Sequence, residues 1–227
     1  IRLAENRSRF LLNCNSELNI FPQVMSPKDE ARLSFLGASM SLKADQPIVT
    51  IGPGFFSSEA AFGTKDAIVG AVSMDTGAQK LAIQSGARSP LNIFKTKNMQ
   101  NLIAKELQKL SPDFDNWLSY NKHAQVIATG PIAMAYAGLN DAMSVYEIQA
   151  SAMIPGNVDS LLATCKNLEK QKTRPHLPGA EHNTSEQISC GLTILHNFLT
   201  QFKIKDFYIS NRGIRCGIIR YFLDSHR

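Results

Sequence analysis

A chain of 227 residues, 44% hydrophobic and 19% charged, can bury one large core or two smaller ones, and it contains no apolar run of membrane-spanning length. Its net charge of +5 is modest and its Lys and Arg residues are spread along the sequence, so a solvated surface accounts for them better than a nucleic-acid patch. The cysteines, Cys14, Cys165, Cys190 and Cys216, stand far apart with no C-x-x-C pair, which excludes zinc-ligand spacing and fits reduced thiols.

The opening Ile1-Arg2-Leu3-Ala4-Glu5-Asn6 is neither a signal nor a transit peptide, and a start at Ile predicts a processed or truncated product. With the reduced thiols, this places the protein in the cytoplasm or the mitochondrial matrix rather than outside the cell. Asn6 to Leu12 reads as a short helix and Ile20 to Met25 as a strand that enters the turn at Ser26-Pro27. Asp29 to Leu42 has Leu33, Leu36 and Met40 at helical spacing. Ile48-Val49 is a short buried strand running into Thr50-Ile51-Gly52-Pro53-Gly54-Phe55-Phe56-Ser57-Ser58. Ala60 to Phe62 and Ala67 to Ser73 predict a hairpin, and Gly77 to Ile83 starts a helix.

Asn98 to Leu110 is an amphipathic helix with Met99, Leu102, Ile103 and Leu107 on one face. Ser111-Pro112-Asp113 stops it and opens a turn carrying Phe114 and Trp117. Gln125 to Ala128 is a strand leading through Thr129-Gly130-Pro131 into a helix from Ile132 to Leu139. Val158 to Lys170 is helical, Lys172 to Asn183 is a polar loop, and Ser185 to Phe202 is a long apolar-rich helix. Asp206 to Ser210 is a strand, followed by Asn211-Arg212-Gly213 and a last helix from Ile214 to Leu223. This repeated succession of strand, glycine turn and helix predicts an α/β fold.

A glycine turn after a strand can aim several backbone N–H groups at one anion, and phosphate chemistry in such a loop also needs a carboxylate for Mg²⁺. Here the strand carries Thr50, Pro53 removes a donor, and Phe55 and Phe56 occupy the turn.

Three segments in this order carry a resemblance: Ser26-Pro27-Lys28-Asp29-Glu30-Ala31-Arg32-Leu33, Ile48-Val49-Thr50-Ile51-Gly52-Pro53-Gly54, and Tyr208-Ile209-Ser210-Asn211-Arg212-Gly213-Ile214-Arg215-Cys216-Gly217-Ile218-Ile219. Over essentially its whole length the chain resembles the Ppx/GppA family of exopolyphosphatases and guanosine pentaphosphate phosphohydrolases. The resemblance implies the ribonuclease-H-like fold of the actin, hexokinase and sugar-kinase superfamily, with phosphate held between two domains. On that reading residues 1–47 are the remnant C-terminal part of the first ribonuclease-H-like domain. Residues 48–227 are then the complete second domain, its last helix packing back on the first.

The resemblance also assigns roles. Glu30 matches the glutamate that acts as general base toward the attacking water. Read from its own surroundings, Glu30 is equally a first-turn glutamate at the positive end of a helix. The family's loop reads Asp-Ile-Gly-Gly-Gly-Ser-Thr-Glu, its acids positioning Mg²⁺ and its glycines and Ser cradling phosphate. Here Thr50, Pro53, Phe55, Phe56 and Ser57 replace the Asp, the middle Gly, Ser, Thr and Glu, while Gly52 and Gly54 remain. Glu59 lies two residues beyond the expected acid and would substitute only in a remodelled loop. Gly130 keeps part of a second phosphate turn in which Pro131 again removes a donor. Gly52, Gly54 and Gly130 are thus degenerate phosphate-binding positions.

Other chemistries have little support. His123, His176, His182, His196 and His226 form no helical ligand pair, and His196 reads as a core-edge histidine. Two functions remain. One is a catalytically dead relative serving as a structural or interaction subunit in a larger assembly, with protein partners and no cofactor. The other is an active phosphohydrolase on polyphosphate or pppGpp, using Glu30 and a rearranged Mg²⁺ site.

Overall fold

The computed structural model describes residues 4–84, 97–110, 112–141, 143–151, 153–170 and 185–226. At its centre is β1 (Ile48–Pro53), every residue of which is buried. Both faces of this strand are covered, which is why its apolar run is nearly continuous. Val49 and Ile51 face the larger core, and Ile48 faces a smaller one with Phe35, Ala38, Ala61 and Ile127.

β1 turns back through residues 54–57 into antiparallel β2 (Ser58–Gly63), which pairs in turn with antiparallel β3 (Ile68–Met74). The expected hairpin is therefore the second half of a three-stranded meander. On its other side β1 runs parallel to β4 (Gln125–Thr129), and β4 runs parallel to β6 (Asp206–Ser210). β5 (Ile154–Asn157) closes the sheet antiparallel to β6, giving the order β3-β2-β1-β4-β6-β5.

The larger core lies under α3 (Ala78–Gln84), α4 (Lys97–Leu107), α5 (Asp113–Tyr120), α6 (Gly130–Asn140), α8 (Val158–Lys170) and α9 (Ser185–Gln201). Phe114 is its aromatic hub, meeting Phe62 edge-on at 5.1 Å and Phe202 at 4.5 Å between ring centroids. The other face carries α2 (Pro27–Ser39), against which α10 (Ile214–Ser225) packs. Ser26 caps α2 by accepting from the Asp29 N–H at 3.1 Å, Pro27 pre-sets the first turn, and Asp29 and Glu30 lie at the positive end of its dipole.

The α/β alternation is present as expected, and several details differ. Residues 20–26 form no strand: Ile20 and Phe21 are exposed, and no described strand lies beside them to complete a ladder. The first helix, α1 (Arg7–Leu18), runs past Leu12 and stops at Asn19, which takes the left-handed conformation at φ 50°. Phe114 and Trp117 ride on α5 rather than on a turn. The buried residues of α2 are Ala31, Phe35, Gly37, Ala38 and Ser39, not Leu33, Leu36 and Met40, and Gly37 among them lets the helix approach the start of α10. Neither β5 nor α7 (Val145–Ala150) was expected. Ser111 and the loop from Lys172 to Asn183 lie outside the described residues.

Candidate active-site cleft

The parallel strands β1, β4 and β6 point their carboxyl ends to the same side, where open α/β sheets place ligands. Three turns meet there: 54–57 after β1, Gly130-Pro131 after β4, and residues 211–213 after β6. The first turn of α2 brings Glu30 to the same end. A cleft of about 800 Å³ is lined by Glu30, Gly54, Phe55, Glu59, Pro131 and Ile214, with Val24 and Met25 on its outer wall.

The anticipated residues do not all converge. Glu30 and Gly54 line this cleft, but Gly130 lines an adjoining pocket of about 550 Å³ with Arg212 and Arg215. Gly130 has φ +86°, so glycine is needed there for the turn itself. Gly52 lines neither. It is buried in β1, where an added Cβ would stand 3.0 Å from the Thr129 hydroxyl, so this glycine permits the close approach of β1 and β4.

Two backbone positions of the first turn offer no donor to an anion. Pro53 has no N–H, and that of Gly54 donates to the Ser57 carbonyl at 2.9 Å. The Gly54 and Phe55 carbonyls accept from Ala78 and Gln79, each at 2.8 Å, which pins the turn to the start of α3. Phe55 packs against the larger core, and Phe56 is 67% exposed at the cleft wall. Pro131 likewise contributes no donor at the second turn.

Thr50 is buried, and its hydroxyl donates to the Ala61 carbonyl at 3.3 Å, so it serves the β1–β2 pair. A neutral hydroxyl cannot replace the charge by which an aspartate holds Mg²⁺. Among the described residues no three His, Cys, Asp or Glu side chains gather where they could hold a metal. Mg²⁺ is commonly held by one or two carboxylates, with water and substrate oxygens completing its octahedron, and Glu30 and Glu59 are the two carboxylates among the described residues that line the cleft.

Glu59, which the sequence admits as the loop acid only in a remodelled loop, lines the cleft. β-pairing places it opposite Gly52, one step from the turn, and its carboxylate reaches back over Gly54. Ser57 Oγ donates to Glu59 Oε1 at 2.6 Å and Ser73 Oγ at 3.2 Å, so the carboxylate is held by two hydroxyls. The signal was present as Ser57-Ser58-Glu59, which repeats the hydroxyl–hydroxyl–acid order of the resemblance's loop two positions late. Phe55 and Phe56 occupy the displaced positions.

The family model described as Ppx/GppA phosphatase matches residues 1–226. No curated protein matches the chain. Among solved structures, the Aquifex aeolicus member of the Ppx/GppA family is similar with a TM-score of 0.81 at 18% identity, covering 100% of this chain and 72% of that one. A second structural study, of the Aquifex aeolicus PPX-GPPA enzyme, gives 0.77 at 20% identity, with 96% and 71% covered. An exopolyphosphatase from Cytophaga hutchinsonii gives 0.84 at 17% identity, with 99% and 72% covered. These likenesses establish the actin/hexokinase-like fold that the resemblance implies.

Proposed function

The chain belongs to the Ppx/GppA phosphatase family, and from that premise we propose that it keeps the family's fold without Mg²⁺-dependent phosphohydrolase activity, serving as a binding subunit. One observation carries this reading. At the turn after β1, Pro53 has no N–H and Gly54 uses its own within the turn, while Thr50 is neutral and Phe55 and Phe56 line the cleft. A phosphoryl group placed there meets two phenyl rings, loses the Pro53 and Gly54 donors and finds no charge from Thr50, and every polar group left without a partner as water is displaced counts against binding. The exposed apolar side chains of α1 and α10, among them Leu12, Leu18, Phe222 and Leu223, support a role in contact with other protein.

Isothermal titration with Mg²⁺ and with polyphosphate tests the loss of the site. The expected result is no saturable heat from Mg²⁺ with the protein alone, and none beyond that of a protein-free Mg²⁺–polyphosphate titration when polyphosphate is present. Mg²⁺ binding that Glu59→Gln abolishes would contradict it.

A second reading, an active phosphohydrolase on polyphosphate or pppGpp, rests on Glu59. This carboxylate lines the same cleft as Glu30, leaving one acid for the loop and one for general-base work. Under it Glu30→Ala and Glu59→Ala each abolish phosphate release.

A further inference from the structure

We propose that the outer edge of β3 is a docking site for an acidic, extended peptide segment, which joins the sheet as an added strand. β3 is an edge strand, paired only with β2 among the described residues. A groove of about 610 Å³ follows it, lined by the consecutive residues Ile68 to Val72. Successive strand residues point to opposite faces, so only a groove along the backbone edge touches all of them. It shares no lining residue with the active-site cleft.

The strand lacks the usual protection against pairing. Its sequence, Ile-Val-Gly-Ala-Val-Ser-Met, has no proline and no charge. The pairing irregularity lies at one end, by Phe62 and Gly63, and from Gly70 to Met74 the register with β2 is unbroken. Beneath the groove the Phe62 ring covers Gly70 and meets Trp117 at 5.3 Å, giving that edge a firm aromatic floor.

Charge selects the occupant. Lys28 and Arg32 from α2 stand exposed on one wall, and Lys109 adds a third cation already paired with Glu106 at 2.5 Å. Asp113 is the one carboxylate among the described lining residues. Antiparallel pairing of β3 with a second copy would bring the cations of both chains together, which disfavours self-association on this edge. An acidic strand satisfies both the backbone ladder and the wall charges, the main chain supplying affinity and alternate side chains specificity.

This surface deepens the binding-subunit reading and rests on it for its biological role. Peptide binding and phosphate release are measured separately, so either can fail alone. Trp117 is the single tryptophan and lines the groove, which makes its fluorescence a direct reporter on the full chain. A blocked octapeptide of alternating Glu and Val is expected to give a saturable change at one peptide per chain. N-methylation of every Val or of every Glu should weaken binding at least tenfold in one of the two series only, since one parity faces the ladder. Lys28→Glu with Arg32→Glu should also weaken it at least tenfold without a fall in melting temperature. The absence of a saturable signal, equal binding of both methylated peptides, or equal binding of a Lys–Val peptide would overturn the proposal. Tighter binding of oligouridylate at the same site, or sedimentation as a dimer that the peptide dissociates, would overturn it as well.

Discussion

Gly217 on α10 lies against the carbonyl of Leu33 on α2 so closely that any Cβ at position 217 would overlap that oxygen. Gly37 stands in the same relation to the Gly213 carbonyl. These glycines let two backbones touch where ordinary side chains hold helices about 8–10 Å apart. Through this contact α10, which follows β6, is fixed to the helix that carries Glu30 at its first turn.

Gly217→Ala therefore forces α10 away from α2 and should destabilise the fold by about 1–3 kcal/mol, as overpacking does. The drop in denaturation midpoint by circular dichroism measures it. A midpoint equal to the unsubstituted chain would show that the two helices are not held in this close contact.

Thr50→Asp restores the acid the resemblance calls for but places it where Thr50 is 2% exposed, facing the Ala61 carbonyl. An unpaired buried charge costs on the order of 3 kcal/mol. The variant should melt lower at neutral pH, regain stability in acid as the carboxylate protonates, and gain nothing from Mg²⁺. Recovery of the melting temperature in millimolar Mg²⁺ would reveal a cation site after all.

Much of this architecture was legible in the chain. The turns at Gly54, Gly130 and Gly213 each follow a strand because apolar runs end in residues that permit a tight reversal. The amphipathic spacing of Met99, Ile103 and Leu107 identifies α4 directly. What was not legible depended on partners. Ile20 to Met25 has the composition of a strand, but a strand exists only beside another. β5 contains Pro155 and Gly156, which argue against a strand in isolation and are tolerated because β5 is an edge. The short α7 was signalled by Ser144-x-x-Glu147, which forms a full capping box. Glu59 entered the cleft through pairing register, a property of two strands together.

The thiols should divide by burial. Cys165 and Cys190 are buried, and burial, with Glu186 nearby, pushes the Cys190 thiol up to about 12, so it stays protonated and unreactive at neutral pH. Cys14 and Cys216 are partly exposed. Native protein treated with a thiol-specific chromogenic reagent should release colour for two of its four cysteines quickly and for the rest only on unfolding. Prompt reaction of all of them would contradict the packing around α8 and α9.

His196 supplies a pH dependence. Burial, and then the nearby Lys166, lowers its pKa below the ordinary value of 6.5. The folded state thus binds this proton less readily than the unfolded chain. Its contribution is fully present above 6.5 and is lost as pH falls through the depressed value. The melting temperature should decline below pH 6.5, and His196→Gln should flatten that part of the profile. An unchanged slope in the variant would remove His196 as the cause.

The cleft itself is judged by turnover. On the proposed loss of the phosphohydrolase site, purified full chain, incubated with Mg²⁺ and either polyphosphate or pppGpp, should release phosphate no faster than its Glu30→Ala variant, because Thr50 brings no charge, Pro53 brings no N–H, and Phe55 and Phe56 stand where the resemblance's loop has its Ser and Thr. Phosphate release that depends on Mg²⁺ and disappears in Glu30→Ala would contradict this, and would make Glu59 the loop acid of a working enzyme.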